Sequence, residues 1–183
     1  MNFSSKGSVG VFASGGVDST MLLYETARNN SYVHAITIAY DVRNYAEAKI
    51  IEPIIEKISE YTNCTIVSHV YYCERIGTKS RNFSDAMRDL ELDEYRHGIT
   101  KSPNNWAEDQ GRSNLNKDSF LVHSIWPIYF PYRKLNKRDI ILMYKQYKLD
   151  DLLSLTVSCV SRTGPIPCGT CWWCKERAWA TTA

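Results

Sequence analysis

The chain has 183 residues, of which 44% are hydrophobic and 12% aromatic, and its formal net charge at pH 7 is +2. This length and apolar content predict one globular domain over residues 1–183 and exclude an intrinsically disordered chain. The small net charge gives no electrostatic case for a nucleic-acid partner. No run approaches the roughly 18 apolar residues of a membrane span, and the polar start lacks a signal-peptide core. We therefore expect a cytoplasmic protein without a membrane partner.

A glycine-rich loop near the N-terminus is the first functional signal. An apolar, strand-like run over residues 9–13 leads into SGGVDS at residues 14–19, and a helical segment over residues 20–27 follows. A strand, a turn and a helix in this order present backbone N–H groups and a helix N-terminus to an anion. The glycines let the backbone approach a phosphate closely. The loop predicts a phosphate site rather than an ordinary tight turn, and it lacks the Gly-Lys-Ser/Thr of a Walker loop.

Strand and helix patterns alternate through the next 50 or so residues, a spacing typical of an α/β unit. Residues 32–40 form a near-continuous apolar run that is typical of a buried parallel strand. Residues 46–61 have the apolar period of an amphipathic helix, in which Pro53 is expected to cause a kink or a restart. Residues 65–71 are a third strand. The alternation predicts a Rossmann-like α/β fold, with a mostly parallel sheet, helices on both faces, and a ligand site at the carboxyl ends of the strands.

The rest of the chain has weaker patterns. We expect a helix over residues 84–95 with Ser84 as its N-cap, a polar loop over residues 98–118, and a strand over residues 120–126. A later helix is predicted over residues 135–147, with Asn136 at the N-cap and an acidic residue three positions on. The histidines on predicted strands are interpreted as core or edge residues rather than catalytic ones; they are His34, His69 and His123.

Four cysteines have the spacing of metal ligands. They follow the pattern C-x8-C-x2-C-x2-C and are Cys159, Cys168, Cys171 and Cys174, called the cysteine cluster below. Four thiolates can enclose Zn²⁺ tetrahedrally, and a CxxC turn presents two sulfurs together. We therefore expect a zinc-binding segment over residues 156–178. An iron–sulfur cluster on the same ligands and a pair of disulfides, disfavoured in the cytoplasm, are the alternatives. Cys64 and Cys73 are interpreted as inert thiols.

The loop and the cysteine cluster together carry a resemblance to a known family. SGGVDS resembles the PP-loop, SGGxDS, of the ATP pyrophosphatases, and with the C-terminal cysteines it resembles the 7-cyano-7-deazaguanine synthase family of the queuosine pathway. Smaller matches agree. Tyr40, Arg43 and Glu47 match the family's YGQRHxxE segment, residues 131–140 resemble its "P…L.K.(E/D)I" helix entry, and Arg177 follows the cluster. The resemblance covers roughly residues 8–72 and 125–178.

The resemblance implies an ATP-dependent C–N ligase with Mg²⁺ and Zn²⁺ as its metals. The small-molecule substrates would be 7-carboxy-7-deazaguanine and ammonia. ATP would adenylate the carboxylate, ammonia would displace AMP to give the amide, and a second activation with dehydration would give the nitrile, 7-cyano-7-deazaguanine. The family also suggests a homodimer.

The same resemblance implies roles for particular residues. The expected catalytic residues are Asp18, which could hold Mg²⁺ or serve only as a helix cap, Ser19, and Arg43, which could contact phosphate or carboxylate or lie idle on the surface. Arg177 is expected to pack on the zinc segment or to reach the substrate. The nucleotide-binding residues are expected to be Phe12, Ala13, Ser14, Gly15, Gly16, Val17, Asp18, Ser19, Thr20, Tyr40 and Arg177.

The segment between the two matching regions departs from the family. Residues 74–119 show no clear copy of the family's PGRN segment, of a long helix, or of a strand ending in a glycine turn; residues 111–114 are a candidate remnant of the first. We therefore expect the chain to lack a helix and a strand. This departure motivates one alternative, a degenerate relative that binds nucleotide or a protein partner without turnover. Two further alternatives are another PP-loop adenylating or tRNA-modifying enzyme and a structural zinc protein.

Overall fold

The computed structural model describes residues 7–40, 45–73, 79–101, 127–159 and 167–182. In these residues five parallel strands form one sheet in the order β3-β2-β1-β4-β5. The central strand, β1, is buried along its whole length, which explains its apolar sequence. The strands are β1 (Val9–Phe12), β2 (Tyr32–Tyr40), β3 (Thr65–Cys73), β4 (Glu94–His97) and β5 (Ile128–Tyr129).

Helices cover both faces of the sheet. The described helices are α1 (Val17–Ala27), α2 (Tyr45–Tyr61), α3 (Lys79–Leu90), α4 (Lys137–Tyr147), α5 (Asp150–Leu155) and α6 (Trp172–Thr181). The larger core lies on one face and combines β1 residues such as Val9 and Val11 with residues of α1, α2, α4 and α5. The smaller core lies on the other face, where α3 packs through Ala86 and Met87. None of these helices has the length and apolar character needed to cross a membrane.

The predicted Rossmann-like α/β fold is confirmed. The strands at residues 32–40 and 65–71 and the helix at residues 46–61 are found as β2, β3 and α2, and α2 continues through Pro53. The helix predicted at residues 135–147 is α4. The Asn136 side chain accepts hydrogen bonds from the N–H groups of Arg138 and Asp139, and the Asp139 carboxylate accepts from the Asn136 N–H, a complete capping box.

The helix predicted over residues 84–95 is wrong at both ends. It begins earlier, so Ser84 lies inside α3 rather than at its N-cap, and it ends before Glu91, which has φ +46°. The next residues form β4 instead. The misleading signal has a physical cause: Leu92 and Tyr95 pack into the same core as the apolar face of α3, and the Tyr95 hydroxyl donates to the Met87 carbonyl over 2.8 Å.

The helix and strand expected to be missing are therefore present. They are α3 and β4, and Gly98 follows β4 directly. An added Cβ at Gly98 would lie 3.0 Å from the Asp18 carbonyl carbon and oxygen. The end of β4 thus packs closely on the first turn of α1. The strand expected at residues 120–126, most of the expected loop and the candidate remnant at residues 111–114 lie outside the described residues.

Candidate nucleotide site and cysteine cluster

The glycine-rich loop joins β1 to α1 at the carboxyl edge of the sheet. Gly15 has φ +73°, a conformation that favours glycine because a Cβ is strained there. A Cβ at this position would also lie 2.6 Å from Cγ2 of Ile50 in α2. Gly16 is extended and precedes α1 as its N-cap, with no side-chain cap. The loop thus requires glycine at residue 15 for both its conformation and its packing.

The two serines of the loop hold its shape. The Ser19 hydroxyl accepts from the Ser14 N–H over 3.2 Å, lies 3.1 Å from the Ser14 hydroxyl, and donates to the Gly16 carbonyl over 3.2 Å. Ser19 is only 7% exposed. The first N–H groups of a helix have no intrahelical acceptor, and the helix dipole adds partial positive charge there. The N-terminus of α1 is therefore suited to an anion such as phosphate.

Neighbouring segments fix the loop from behind. The Ala13 N–H donates to the Ile36 carbonyl, and the Thr37 hydroxyl donates to the Ala13 carbonyl, each over 2.8 Å. The Val157 N–H donates to the Gly15 carbonyl over 2.8 Å. The loop is thus held by the adjacent strand and by a segment distant in sequence.

A buried ionic network surrounds Asp18. The Lys137 ammonium donates to Oδ2 of Asp18 over 2.6 Å and lies 3.4 Å from Oε2 of Glu176. The Thr100 hydroxyl also contacts Oδ2 of Asp18, at 3.4 Å. Oδ1 of Asp18 is buried and has no hydrogen-bond partner within the described part of the chain. A buried, unsatisfied carboxylate oxygen is costly, so this atom is suited to binding a cation.

Lys137 stays charged in this network. Burial alone lowers the pKa of its ammonium, but the carboxylates of Asp18 and Glu176 more than offset this effect and raise the pKa above its ordinary value. Sequence reasoning assigned no role to Lys137 or Glu176. The available signal was the position of Lys137 in the helix-entry motif, and its contact with Asp18 appears only in the folded chain.

The other predicted nucleotide residues lie at or beside the loop. Phe12 ends β1 and packs against Phe83, with ring centroids 4.6 Å apart. The Val17 carbonyl accepts from the buried Tyr144 hydroxyl over 2.9 Å. Thr20 is fully buried inside α1. Tyr40 ends β2, but its side chain lies outside the described residues, as does Arg43 altogether.

The cysteine cluster has the geometry of a metal site. The four sulfurs all lie within 4.8 Å of one another, and Zn–S bonds of about 2.3 Å in a tetrahedron place sulfurs about 3.8 Å apart. The N–H of Cys171 donates to the Cys168 sulfur over 3.3 Å, and the N–H of Cys168 donates to the Cys159 sulfur over 3.4 Å. Mainly because of the bond from Cys171, the pKa of Cys168 falls to about 6, so this thiol readily supplies a thiolate.

Both ends of the cysteine cluster connect to the glycine-rich loop. Before the cluster, Val157 binds the loop directly. After it, Glu176 reaches Lys137 from α6, and the Arg177 guanidinium donates to the carbonyls of Thr156 and Leu153 over 2.5 and 3.1 Å. Arg177 thus links α6 to Thr156, the residue before Val157, which binds the loop.

Two of the histidines on described strands contact each other. Nδ1 of His34 in β2 lies 2.9 Å from Nε2 of His69 in the neighbouring strand β3, two positions away from the register partner of His34, which is Val67. Burial is the main cause that lowers the pKa of each ring. His34 and His69 lie within their strands rather than at the carboxyl ends, whereas His97 is the last residue of β4. His123, the other histidine predicted on a strand, lies outside the described residues.

Comparisons with known proteins agree with this architecture. The family model described as "Queuosine biosynthesis protein QueC" matches residues 8–97. Among solved structures, the chain is similar to the U34-tRNA thiolase NcsA from Methanococcus maripaludis, determined with its [4Fe-4S] cluster, with a TM-score of 0.58 and 14% identity. That similarity covers 98% of this chain and 65% of the thiolase chain, so this chain spans about two thirds of its length. No curated protein gives a significant match.

The family match also corrects the extent of the resemblance in the first half of the chain. It continues past residue 72 through α3 and β4, the two elements that were expected to be missing. Residues 8–97 therefore resemble the QueC family throughout, and the predicted resemblance to the 7-cyano-7-deazaguanine synthases is confirmed over those residues.

Proposed function

We propose that the chain is an ATP-dependent enzyme that activates the carboxylate of 7-carboxy-7-deazaguanine and, with ammonia, converts it to 7-cyano-7-deazaguanine. The observation that carries the proposal is the glycine-rich loop, fixed at the N-terminus of α1 within a segment that matches the QueC family. The substrate and product come from that family resemblance. The loop itself supports the use of ATP.

The chemistry needs activation because a carboxylate has a poor leaving group. Transfer of AMP to a carboxylate oxygen releases pyrophosphate and gives a mixed acyl phosphate. Ammonia can then attack its carbonyl carbon with AMP as the leaving group, which gives the amide. Loop N–H groups and the α1 N-terminus would stabilise charge on the departing pyrophosphate, and positioning supplies much of the remaining rate. Oδ1 of Asp18 would hold Mg²⁺, which usually binds one or two carboxylates together with phosphate oxygens.

We propose that the cysteine cluster holds one Zn²⁺ in a structural role. Four sulfurs within 4.8 Å of one another suit a single tetrahedral ion. In a four-iron cluster each cysteine binds a different iron, which spreads the sulfurs farther apart. A site closed by four sulfurs leaves no open position for substrate.

A second candidate function is a tRNA-modifying reaction. It is favoured by the similar fold of a tRNA thiolase that carries a [4Fe-4S] cluster, together with the four cysteines of this chain. Metal analysis of the purified protein separates the two functions. Zinc near one equivalent supports the first, whereas iron with a visible charge-transfer band and sulfur transfer to tRNA would support the second.

The direct test is an assay with ATP, Mg²⁺, ammonium and 7-carboxy-7-deazaguanine. We expect AMP and pyrophosphate in equal amounts, dependent on the deazaguanine, and the amide or nitrile by mass spectrometry. Asp18→Ala is expected to abolish AMP release with bound zinc unchanged. Asp89→Ala, which alters an exposed aspartate on α3, should leave the rate unchanged. Absence of AMP from the wild-type protein would refute the proposal, and tight ATP binding in that case would favour a degenerate relative.

A further inference from the structure

Three charged groups from distant parts of the chain meet beside the glycine-rich loop. Lys137 is the first residue of α4, Asp18 lies in the first turn of α1, and Glu176 lies in α6, two residues after Cys174. The side chains of Lys137 and Glu176 are only 5% and 4% exposed. The network is therefore a feature of the interior, where charge–charge interactions are stronger than at the surface.

One oxygen of this network has no partner among the described residues. Oδ1 of Asp18 is buried and makes no hydrogen bond in the part of the chain that the structure describes, and a buried carboxylate oxygen that accepts no hydrogen bond is costly. A network with these properties is poised to accept positive charge at Asp18.

Lys137 and Glu176 have distinct effects on that oxygen. Lys137 binds Oδ2 at 2.6 Å, which fixes the carboxylate and leaves Oδ1 available. Without a second carboxylate, the full charge of Lys137 would act on Asp18 and weaken its attraction for another cation. Glu176 lies 3.4 Å from the ammonium. Its negative charge offsets part of the positive charge of Lys137, so that less of that charge acts on Asp18.

We propose that Lys137 and Glu176 are positioning residues for the nucleotide reaction. Lys137 orients Asp18 through Oδ2, and Glu176 keeps Asp18 negative enough to bind, through Oδ1, the divalent cation that accompanies ATP. The inference rests on the proposed function, because it requires the glycine-rich loop to bind ATP with a divalent cation. It adds two residues, from α4 and α6, to the control of that cation.

The test is the Mg²⁺ dependence of ATP binding in the full, metal-loaded protein. ATP affinity is measured by equilibrium dialysis across a Mg²⁺ titration and in Mg²⁺-free buffer, and cluster metal and melting temperature are measured for each variant. Glu176→Gln keeps the shape of the side chain but removes its charge. We expect it to raise the Mg²⁺ concentration at half-saturation about tenfold, the equivalent of one charge-assisted hydrogen bond.

Two further variants and a control separate charge from packing. Glu176→Asp restores the charge and should recover most of the wild-type Mg²⁺ dependence. Lys137→Arg keeps the positive charge, but guanidinium binds carboxylates in a bidentate manner, so it should occupy Oδ1 and raise the Mg²⁺ requirement. The control Glu56→Gln removes an exposed charge on α2 and should change nothing.

The outcomes distinguish the inference from the proposed function. If wild type fails to bind ATP with Mg²⁺, the proposed function and the inference both fail. If wild type binds but Glu176→Gln shows the same Mg²⁺ dependence, only the inference is overturned. It is also overturned if the variant loses ATP affinity equally with and without Mg²⁺, because that pattern indicates packing alone. Should Glu176→Gln unfold, Lys137→Arg with an unchanged Mg²⁺ requirement would still refute the inference.

Discussion

At the scale of single residues, the conformation of the glycine-rich loop depends on the absence of a Cβ at Gly15. Its φ of +73° and the nearby Ile50 methyl both exclude a Cβ. Ser19, in contrast, contributes a hydroxyl that links residues 14, 16 and 19. The sequence motif predicts these residue types because each requirement is local. It does not reveal that Ile50 of α2 forms the wall behind the loop.

Gly15→Ala is expected to destabilise the protein by clearly more than the backbone strain alone, which costs about 1–2 kcal/mol. The additional loss comes from the Cβ placed 2.6 Å from Ile50 Cγ2. Urea unfolding measures the change. Gly169→Ala is a matched control, because Gly169 has φ +71° with no atom within 4 Å of an added Cβ. Equal losses in the two variants would contradict the steric argument, and adding Ile50→Ala should relieve only the first.

At the scale of elements, the sequence predicts those whose signals are local. The start of α4 is an example, because Asn136 and Asp139 satisfy each other's N–H groups within four residues. The strand β4 is the opposite case. Its sequence EYRH contains a buried Arg96, made tolerable by Glu94 and by a hydrogen bond of 3.2 Å to the Thr26 hydroxyl. Because this strand carries a buried charged residue with one partner distant in sequence, a search for hydrophobic patterns does not detect it.

The candidate site divides in the same way. The glycine-rich loop and the cysteine cluster are short local motifs, so SGGVDS and the four cysteine positions could be predicted. The network of Asp18, Lys137 and Glu176 could not, because its members belong to three helices that come together only in the fold. Sequence spacing carries no information about such a meeting.

Loss of the α4 cap is expected to weaken ATP binding at the proposed site as well as stability. Asn136→Ala removes acceptors for two N–H groups and is expected to cost about 1 kcal/mol of unfolding free energy. Because α4 begins at Lys137, fraying of this turn should also weaken ATP binding. Chemical unfolding and ATP titration measure the two effects. Asn136→Ser, which retains a capping oxygen, should behave nearly as wild type, and a fully stable Asn136→Ala would contradict the assigned cap.

At the scale of the whole molecule, the segments on either side of the cysteine cluster contact the glycine-rich loop and the ionic network beside it. The segment before it binds Gly15 through Val157, and the helix after it holds Lys137 through Glu176. Arg177, which follows the cysteine cluster, donates hydrogen bonds to the carbonyls of Thr156 and Leu153, which precede it. A metal in the cluster would therefore order two contacts of the proposed ATP site from a distance.

Removal of the metal should impair ATP binding as well as stability. Cys171→Ser is expected to lower metal content, to destabilise the protein by several kcal/mol, and to expose the residues around the cluster to protease. The control is Cys64→Ser, which alters a buried thiol outside the cluster and should leave metal content unchanged. Metal analysis, limited proteolysis and ATP titration give the three readouts. Wild-type ATP affinity in a metal-free Cys171→Ser protein would show that the cluster and the loop are independent.

The hydrogen bond from Val157 to Gly15 also bears on the order in which parts of the chain fold during synthesis. A ribosome makes residues 14–19 long before Val157 and Glu176 emerge, and N-terminal elements generally begin to fold first. A nascent chain can therefore pair β1 with β2 before Val157 binds the glycine-rich loop, because contacts between residues distant in sequence form late. In the proposed function, ATP would then stabilise chains in which these late contacts have formed, in preference to chains that still lack them.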